Sequence, residues 1–340
     1  MKQLKTIVAI VAGLFAFTSV QAGEMSVSGS MQATYSSAPD QNTGNMLGMN
    51  TDLTFTGSTD TDFGTATWTM GTDGTFLGES GADHTLKLAT GFGTFGVGNS
   101  GDAANAVDDI TPSAFEEANG SGSGTYTNDV GSGMDGSMSM SYGNGDLFGT
   151  GISVAYNYYP RLDGTTNNEK GTSGVASHTA GSAESINVGV PVAGLPIIGD
   201  SPLGGMKITF GYNEHENTIA NNQTLAGGTV AITMPVGPLS LGIQKKAYQV
   251  AQADTSYYKD DIIGIAYAVN DDFAISYNLI ESVNHLKGSG TTTEQETKAI
   301  NVAYTVGGLT LGLQDAKTSN AGYAVGTDDD ARTISVKTAF

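Results

Sequence analysis

From Glu24 to Phe340 apolar and polar residues alternate with a period of two, and no convincing helical period interrupts them. Such alternation marks a strand with one face toward an apolar medium and the other toward a polar one. In the first segment Met25, Val27, Met31, Ala33 and Tyr35 share a face; Ser26, Ser28, Ser30, Gln32, Thr34 and Ser36 share the other. In the second, Leu47, Met49, Leu53 and Phe55 oppose Asn50, Asp52, Thr54 and Thr56. The pattern recurs to the end, where Ile334, Val336, Thr338 and Phe340 make the last of sixteen strands. Gly accounts for 48 of 340 residues, but 39% of the chain is hydrophobic with aromatics spread along it, too much for a disordered coil.

The connections alternate between short and long. Ser58 to Asp62, Gly91 to Gly93, Pro235 to Pro238, Asn270 to Asp272 and Gly307-Gly308 are short; long polar stretches lie between. This asymmetry predicts an all-β fold, a transmembrane antiparallel β-barrel with short periplasmic turns and long extracellular loops. A soluble sandwich has no need of it. Closure satisfies every backbone N–H and C=O, as a bilayer demands. The apolar set then faces lipid and the polar set the interior. Tyr35, Tyr156, Tyr158, Tyr212 and Tyr248 fall toward the long-loop ends, and Phe63, Phe95, Phe148, Phe273 and Phe340 near the short turns, as two interfacial girdles would.

Residues 1–22 precede the pattern. Lys2 and Lys5 make a basic start, Ile7 to Phe17 an apolar core, and Val20-Gln21-Ala22 a small-residue cleavage site. They read as an export signal, with residues 23–340 as one barrel domain. Without the leader lysines, 12 basic residues stand against 34 acidic ones, a formal charge of −22. That balance argues against nucleic acid as a partner and favours cations. Cys is absent, which removes disulfides, thiolate metal sites and a Cys nucleophile.

The export signal, the strand EMSVSGSMQATY, the hairpin TGFGTFGVGN and the terminal TISVKTAF together resemble the Gram-negative general porins. The resemblance covers the mature chain as architecture and these stretches as motifs. It implies a sixteen-stranded homotrimer, set among outer-membrane lipid and lipopolysaccharide, that passes small hydrophilic solutes. It also implies that the third surface loop folds into the lumen, and that Phe340, with Ile334 and Val336 behind it, is the signal read by the barrel-assembly machinery. Members of that family set an arginine cluster opposite the acidic loop. No such cluster is found here; Lys87, on the polar face of its strand, is the best substitute, ahead of Lys207 and Lys246, while Arg161 and Arg332 lie near strand ends.

The third long connection, beginning at Ser100, carries Asp102, Asp108, Asp109, Glu116, Glu117 and Asp129 without a Lys or Arg. A structureless segment of such length is functional or disordered. Ala103, Ala104, Ala106, Val107, Ile110, Ala114 and Phe115 suit packing on an inner wall, which leaves Asp108, Asp109, Glu116 and Glu117 to face the water path. With Asp52 and Asp73 on polar faces these carboxylates are the expected pore charges. Acidic rings favour cations, so a mild cation preference is expected.

Other motifs carry less. Gly91, Gly93 and Gly96 match a dinucleotide fingerprint, but strand follows rather than the helix that would hold a pyrophosphate. Asp60-x-Asp62-x-Gly64 has Gly71 where a calcium loop needs Glu. Asp328, Asp329 and Asp330 beside Arg332 could hold a loose divalent cation at the rim, though a solvated acidic loop explains them more simply. His84, His178, His215 and His285 all fall in expected loops, and Glu214-His215-Glu216 has no second His at ligand spacing. No cofactor is expected. The expected function is passive diffusion of small solutes and ions, without catalysis. The alternative is a barrel that acts as adhesin or receptor through its long loops; a hydrolase on this fold lacks a positioned Ser-His pair.

Overall fold

The computed structural model describes residues 23–37, 45–72, 83–99, 101–116, 118, 130, 134, 136–162, 180–194, 202–217, 224–249, 256–286 and 292–340. The leader, Asp73, Glu117 and His178 lie outside them. The first eight strands are β1 Glu24–Ser37, β2 Leu47–Thr61, β3 Gly64–Thr72, β4 Asp83–Thr90, β5 Gly93–Gly98, β6 Ser139–Asn144, β7 Ser153–Tyr159 and β8 Ala180–Pro191. The second eight are β9 Lys207–Asn217, β10 Leu225–Val236, β11 Leu239–Gln249, β12 Ser256–Ala268, β13 Phe273–Leu286, β14 Thr292–Val306, β15 Leu309–Ser319 and β16 Asp328–Ala339. Each pairs antiparallel with its sequence neighbours, and β1 pairs with β16, so the sheet closes. All sixteen expected strands are present.

Register shows why alternation produces a barrel turned inside out. Thr297 pairs with Thr318 and Asn301 with Gln314, and all four are buried. Their neighbours Ile300, Leu311, Leu313 and Ile334 point the other way and are exposed. In water such a surface would be a liability; against hydrocarbon it is the favourable one. The last residue completes the seam: Gly29 and Phe340 exchange backbone N–H···O bonds of 2.9 and 3.0 Å.

Several local expectations change. β2 runs to Thr61, so the first tight turn is Asp62-Phe63 rather than Ser58 to Asp62. Short and long connections do keep to opposite rims, but their lengths overlap. Val192 to Met206, between β8 and β9, lies on the short-turn rim and carries two 3-10 turns. Gly307 and Gly308, with φ of 57° and 82°, supply the left-handed pair that a two-residue hairpin needs. His84, His215 and His285 sit in strands, not loops. Tyr248 shares its face with Gln244 and Lys246, which are buried inside, so it leaves the outer girdle. Asp329 is buried and alternates with exposed Asp328 and Asp330, so β16 splits that acidic run between its two faces.

Candidate functional site

Between β5 and β6 the chain leaves the wall and runs along the inside of the barrel, meeting later strands in order. The side chains of Asn157 and Tyr159 on β7 donate to the Gly101 carbonyl at 3.3 and 3.0 Å. On β8, Asn187 donates to the Ala103 carbonyl at 2.5 Å, and Ser185 accepts from the Ala104 N–H at 2.7 Å. Gln244 on β11 donates to the carbonyls of Val107 (3.0 Å) and Asp108 and accepts from Ile110 N–H at 3.1 Å. Asn278 on β13 donates to the Pro112 carbonyl at 3.0 Å, and Gln314 on β15 to that of Glu116 at 3.2 Å. A segment without ladder bonds thus satisfies its backbone with wall side chains, each bond contributing roughly 1 kcal/mol.

Glycines make room for this path. A Cβ on Gly242 would lie 2.3 Å from Pro112 Cδ, and one on Gly264 2.7 Å from the Pro112 carbonyl oxygen. At Gly312 it would meet the Phe115 ring at 2.5 Å, and at Gly211 the Val107 methyl at 2.7 Å. These four positions stand in β9, β11, β12 and β15, each on the inward face. Any larger residue there would push the loop off the wall.

Three acidic residues are held rather than presented. Asp102 is buried, and its Oδ1 accepts from the N–H groups of Ala104 and Asn105 at 2.8 and 3.3 Å, and from the Ser185 hydroxyl. Asp108 and Asp109 each accept from Lys246 Nζ at 3.1 Å. The side chains of Lys246 and Asp108 are only 1% and 2% exposed, against 22% for Asp109. Val130 N–H donates to the other Asp108 oxygen at 2.9 Å. Asp260, also buried, pairs in register with Lys246. One ammonium therefore serves several carboxylates. Burial pushes the Asp108 carboxyl up to about 7, against the pull of Lys246 and with a push from Asp109. Glu116 is also raised by burial, with a hydrogen bond from Gln32 and the charge of Lys337 opposing the shift.

The expectation that Asp108 faces the water path is thus corrected, because its charge is consumed by the wall. Lys246 is the loop's principal cation, ahead of Lys87; its position next to Lys245 on an alternating strand placed it inward, but nothing local shows that Asp108 would reach it. The wall glycines were also missed. Their signal was present as Gly at inward positions of otherwise regular strands, which marks close approach of another backbone. Ala103 and Ala104 are buried as expected, while Ala106 is exposed.

The arc from β2 to β6 carries no such cover. Its inward face is mainly Thr, Ser, Asn and Gly, with Asp52 accepting from Ser30 and Asn50 at 2.9 and 3.2 Å. Lys87 lines a recess of about 630 Å³ between this arc and the start of the loop, shared with Asp102, Ala103, Ser141, Asn157 and Asn187. It makes no ion pair among the described residues. Among those residues no group of three or more His, Asp or Glu side chains is arranged to hold a metal ion. The geometry is that of a water-facing passage bounded by a seated loop on one side and a neutral hydroxyl-rich wall on the other.

Known proteins place this geometry. The barrel is similar to the trimer form of OmpT, an outer membrane protein of Vibrio cholerae, at 13% identity over 94% of this chain and 100% of that one, TM-score 0.65. It is similar to Salmonella typhi OmpF in complex with daunomycin, at 14% identity over 94% and 98%, TM-score 0.63. An anion-selective porin from Comamonas acidovorans matches at 14% identity over 94% and 100%, TM-score 0.62. No curated protein sequence matches the chain. At these identities the likeness is one of fold, but a family model described as Gram-negative porin matches residues 7–339. The chain belongs to the Gram-negative porin family.

Proposed function

We propose that this outer-membrane β-barrel channel passes small hydrophilic solutes and ions by passive diffusion, narrowed by the loop between β5 and β6 and mildly selective for cations. The observation that carries this reading is the course of the loop, which lies along the inner wall from β7 to β15 and leaves the β2–β6 arc open. Porins are channels and not enzymes. The similar Comamonas acidovorans porin is anion-selective on the same fold, so the lining decides the sign. Here a mature charge of −22 and inward Asp52 and Asp60 favour cations. Asp109, Glu116, Asp73 and Glu117 belong to the same proposed set. Lys87 and Lys207 oppose them. The test is the reversal potential of the purified protein in a bilayer under a salt gradient. A clear anion preference would overturn the selectivity, and absence of steady open current would overturn the channel in favour of an adhesin or receptor.

The remaining partners follow from the same reading. Among the described residues, no Asp, Glu, Lys or Arg faces outward on β1–β7, whereas later strands carry several. An uncharged sector of that width suits contact between subunits, and the similar OmpT is a trimer, so a homotrimer joined through this sector is the assembly we propose. Export by the leader, cleaved after Ala22, precedes it. Phe340 then serves as the signal to the barrel-assembly machinery, and lipopolysaccharide contacts the outer face.

A further inference from the structure

A row of polar side chains crosses the inner wall on five strands. Thr229 on β10 pairs with Lys246 on β11, Lys246 with Asp260 on β12, Asp260 with Ser282 on β13, and Ser282 with Gln295 on β14. All five are buried although they point into the barrel. At Lys246 the cover is the loop between β5 and β6, through Asp108 and Asp109. At Ser282 and Gln295 it is a different segment, residues 320–327 between β15 and β16, on the rim opposite Gly307-Gly308.

That segment is folded inward and held there by the wall. The Asn320 side chain donates to the Glu294 carbonyl at 2.9 Å, and Gly322 N–H donates to Gln295 Oε1 at 3.0 Å. The Tyr323 ring lies at 45° to that of Tyr258 with centroids 5.5 Å apart, and its hydroxyl is 2.7 Å from Ser282 Oγ. Ser282 gives its single proton to Asp260, so the Tyr323 hydroxyl is the donor to Ser282. Asn320 and Tyr323 have φ of 53° and 59°. Asn tolerates the left-handed region, but an aromatic residue there is strained and persists only where its surroundings hold it. The hydroxyl therefore reaches Ser282 at a cost in backbone strain.

Asp260 stands where the two covers meet. It accepts a hydrogen bond from Ser282 on one side and acts on Lys246 on the other, where Asp108 and Asp109 bind the same ammonium. A carboxylate supplied with hydrogen-bond donors draws less on a neighbouring cation, and a donor relay strengthens that supply. We propose that Tyr323 and Ser282 are positioning residues for the constriction. By satisfying Asp260 they leave the Lys246 ammonium to Asp108 and Asp109, so the segment between β15 and β16 sets how firmly the loop between β5 and β6 is seated. The effect on current rests on the channel reading above; the coupling of the two segments does not.

The chain has no Cys, so one introduced cysteine takes one nitroxide label. Ala106→Cys on the constriction loop and Val325→Cys on the other segment, both exposed, report the mobility of each by electron paramagnetic resonance of the folded barrel in detergent. One hydrogen bond shifts an equilibrium by roughly fivefold. Tyr323→Phe keeps the ring and removes only the hydroxyl; it should raise the mobile fraction at position 106 about threefold, and Ser282→Ala about fivefold. Asp260→Asn should abolish the response to Tyr323→Phe, because an amide does not compete for the ammonium. Coupling is reciprocal, so Asp108→Asn/Asp109→Asn should loosen the label at position 325 by about the same threefold. An unchanged label at position 106 in Tyr323→Phe overturns the coupling, whatever happens at 325, and so does an undiminished response in Asp260→Asn. In a bilayer Tyr323→Phe should make closures about threefold more frequent. A wild-type barrel that conducts nothing while the labels respond overturns the channel and leaves the coupling standing.

Discussion

The arc from β2 to β6 is bare inside and uncharged outside, whereas the arc from β7 to β16 is covered inside by the loop and, from β8 on, charged outside. Both arcs obey the same alternation, so the difference does not lie in strand formation. It lies in what each face is offered. The covered arc has glycines at Gly211, Gly242, Gly264 and Gly312 and polar side chains such as Gln244, Asn278 and Gln314, which together receive a backbone. The bare arc has hydroxyls and Lys87, which suit water. One barrel therefore divides solvent contact from loop contact inside, and an uncharged sector from a charged one outside.

That division can be broken at its strongest point first. Lys246→Met leaves Asp108, Asp109 and Asp260 around an uncharged side chain, and loss of one partner from a buried ion pair costs about 3–5 kcal/mol. The urea unfolding midpoint should fall and open-channel noise rise; adding Asp108→Asn should recover part of both. Next in size, Trp68→Lys places a charge on the uncharged outer sector at an estimated 2–4 kcal/mol, read as loss of assembly stability on heating. Lys245→Leu on the opposite arc should change stability little.

Smaller effects sharpen the interior contrast. Gly264→Ala sets a methyl against Pro112 and should cost about 1–3 kcal/mol in thermal unfolding, with a changed conductance. Gly143→Ala on the bare arc, where nothing lies within 4 Å of the new Cβ, should stay within about 0.5 kcal/mol of wild type. The seat of the loop should also respond to pH. The folded Asp108 carboxyl holds its proton to about 7 while a solvated one releases it near 3.8. The seated state therefore binds more protons between those values, loses stability as pH rises through them, and is level above about 7. Single-channel closures should become more frequent from pH 6 to pH 8, and Asp108→Asn should flatten that dependence. Lys87→Gln, the mildest change, should raise cation preference by about twofold in reversal-potential measurements, with no loss of stability.

The barrel was legible because period-two alternation reports a face, and a face is all that a closed sheet between lipid and water needs. Strand number, rim asymmetry and the inward side of Asp52 and Lys87 all follow from it. The seat of the loop was half legible. Ala103, Ala104, Val107 and Phe115 announce a segment that packs, but not what it packs against. The partners lie far along the chain, as with Asp108 and Lys246, and depend on how the barrel curls. Tyr248 shows the converse limit: its aromatic character suggests a girdle, and only its register with Lys246 and Gln244 turns it inward.

The contacts of the loop also dictate an order of assembly. It emerges after β5, yet its wall partners Gln244, Asn278 and Gln314 lie between 134 and 198 residues further on. Contacts this remote in sequence form late, because chain closure must precede them. Glu116 depends on Gln32 and Lys337, residues that become neighbours only when β16 meets β1. While the sheet is open these partners do not yet surround the loop, and much of its backbone lacks the wall bonds it has in the closed barrel. Once Phe340 seals the seam, the only way in for the loop is the mouth of the barrel, since the hydrogen-bonded wall is closed. The last strand, more than 200 residues after the loop begins, thus completes the seat of the third loop as well as the wall.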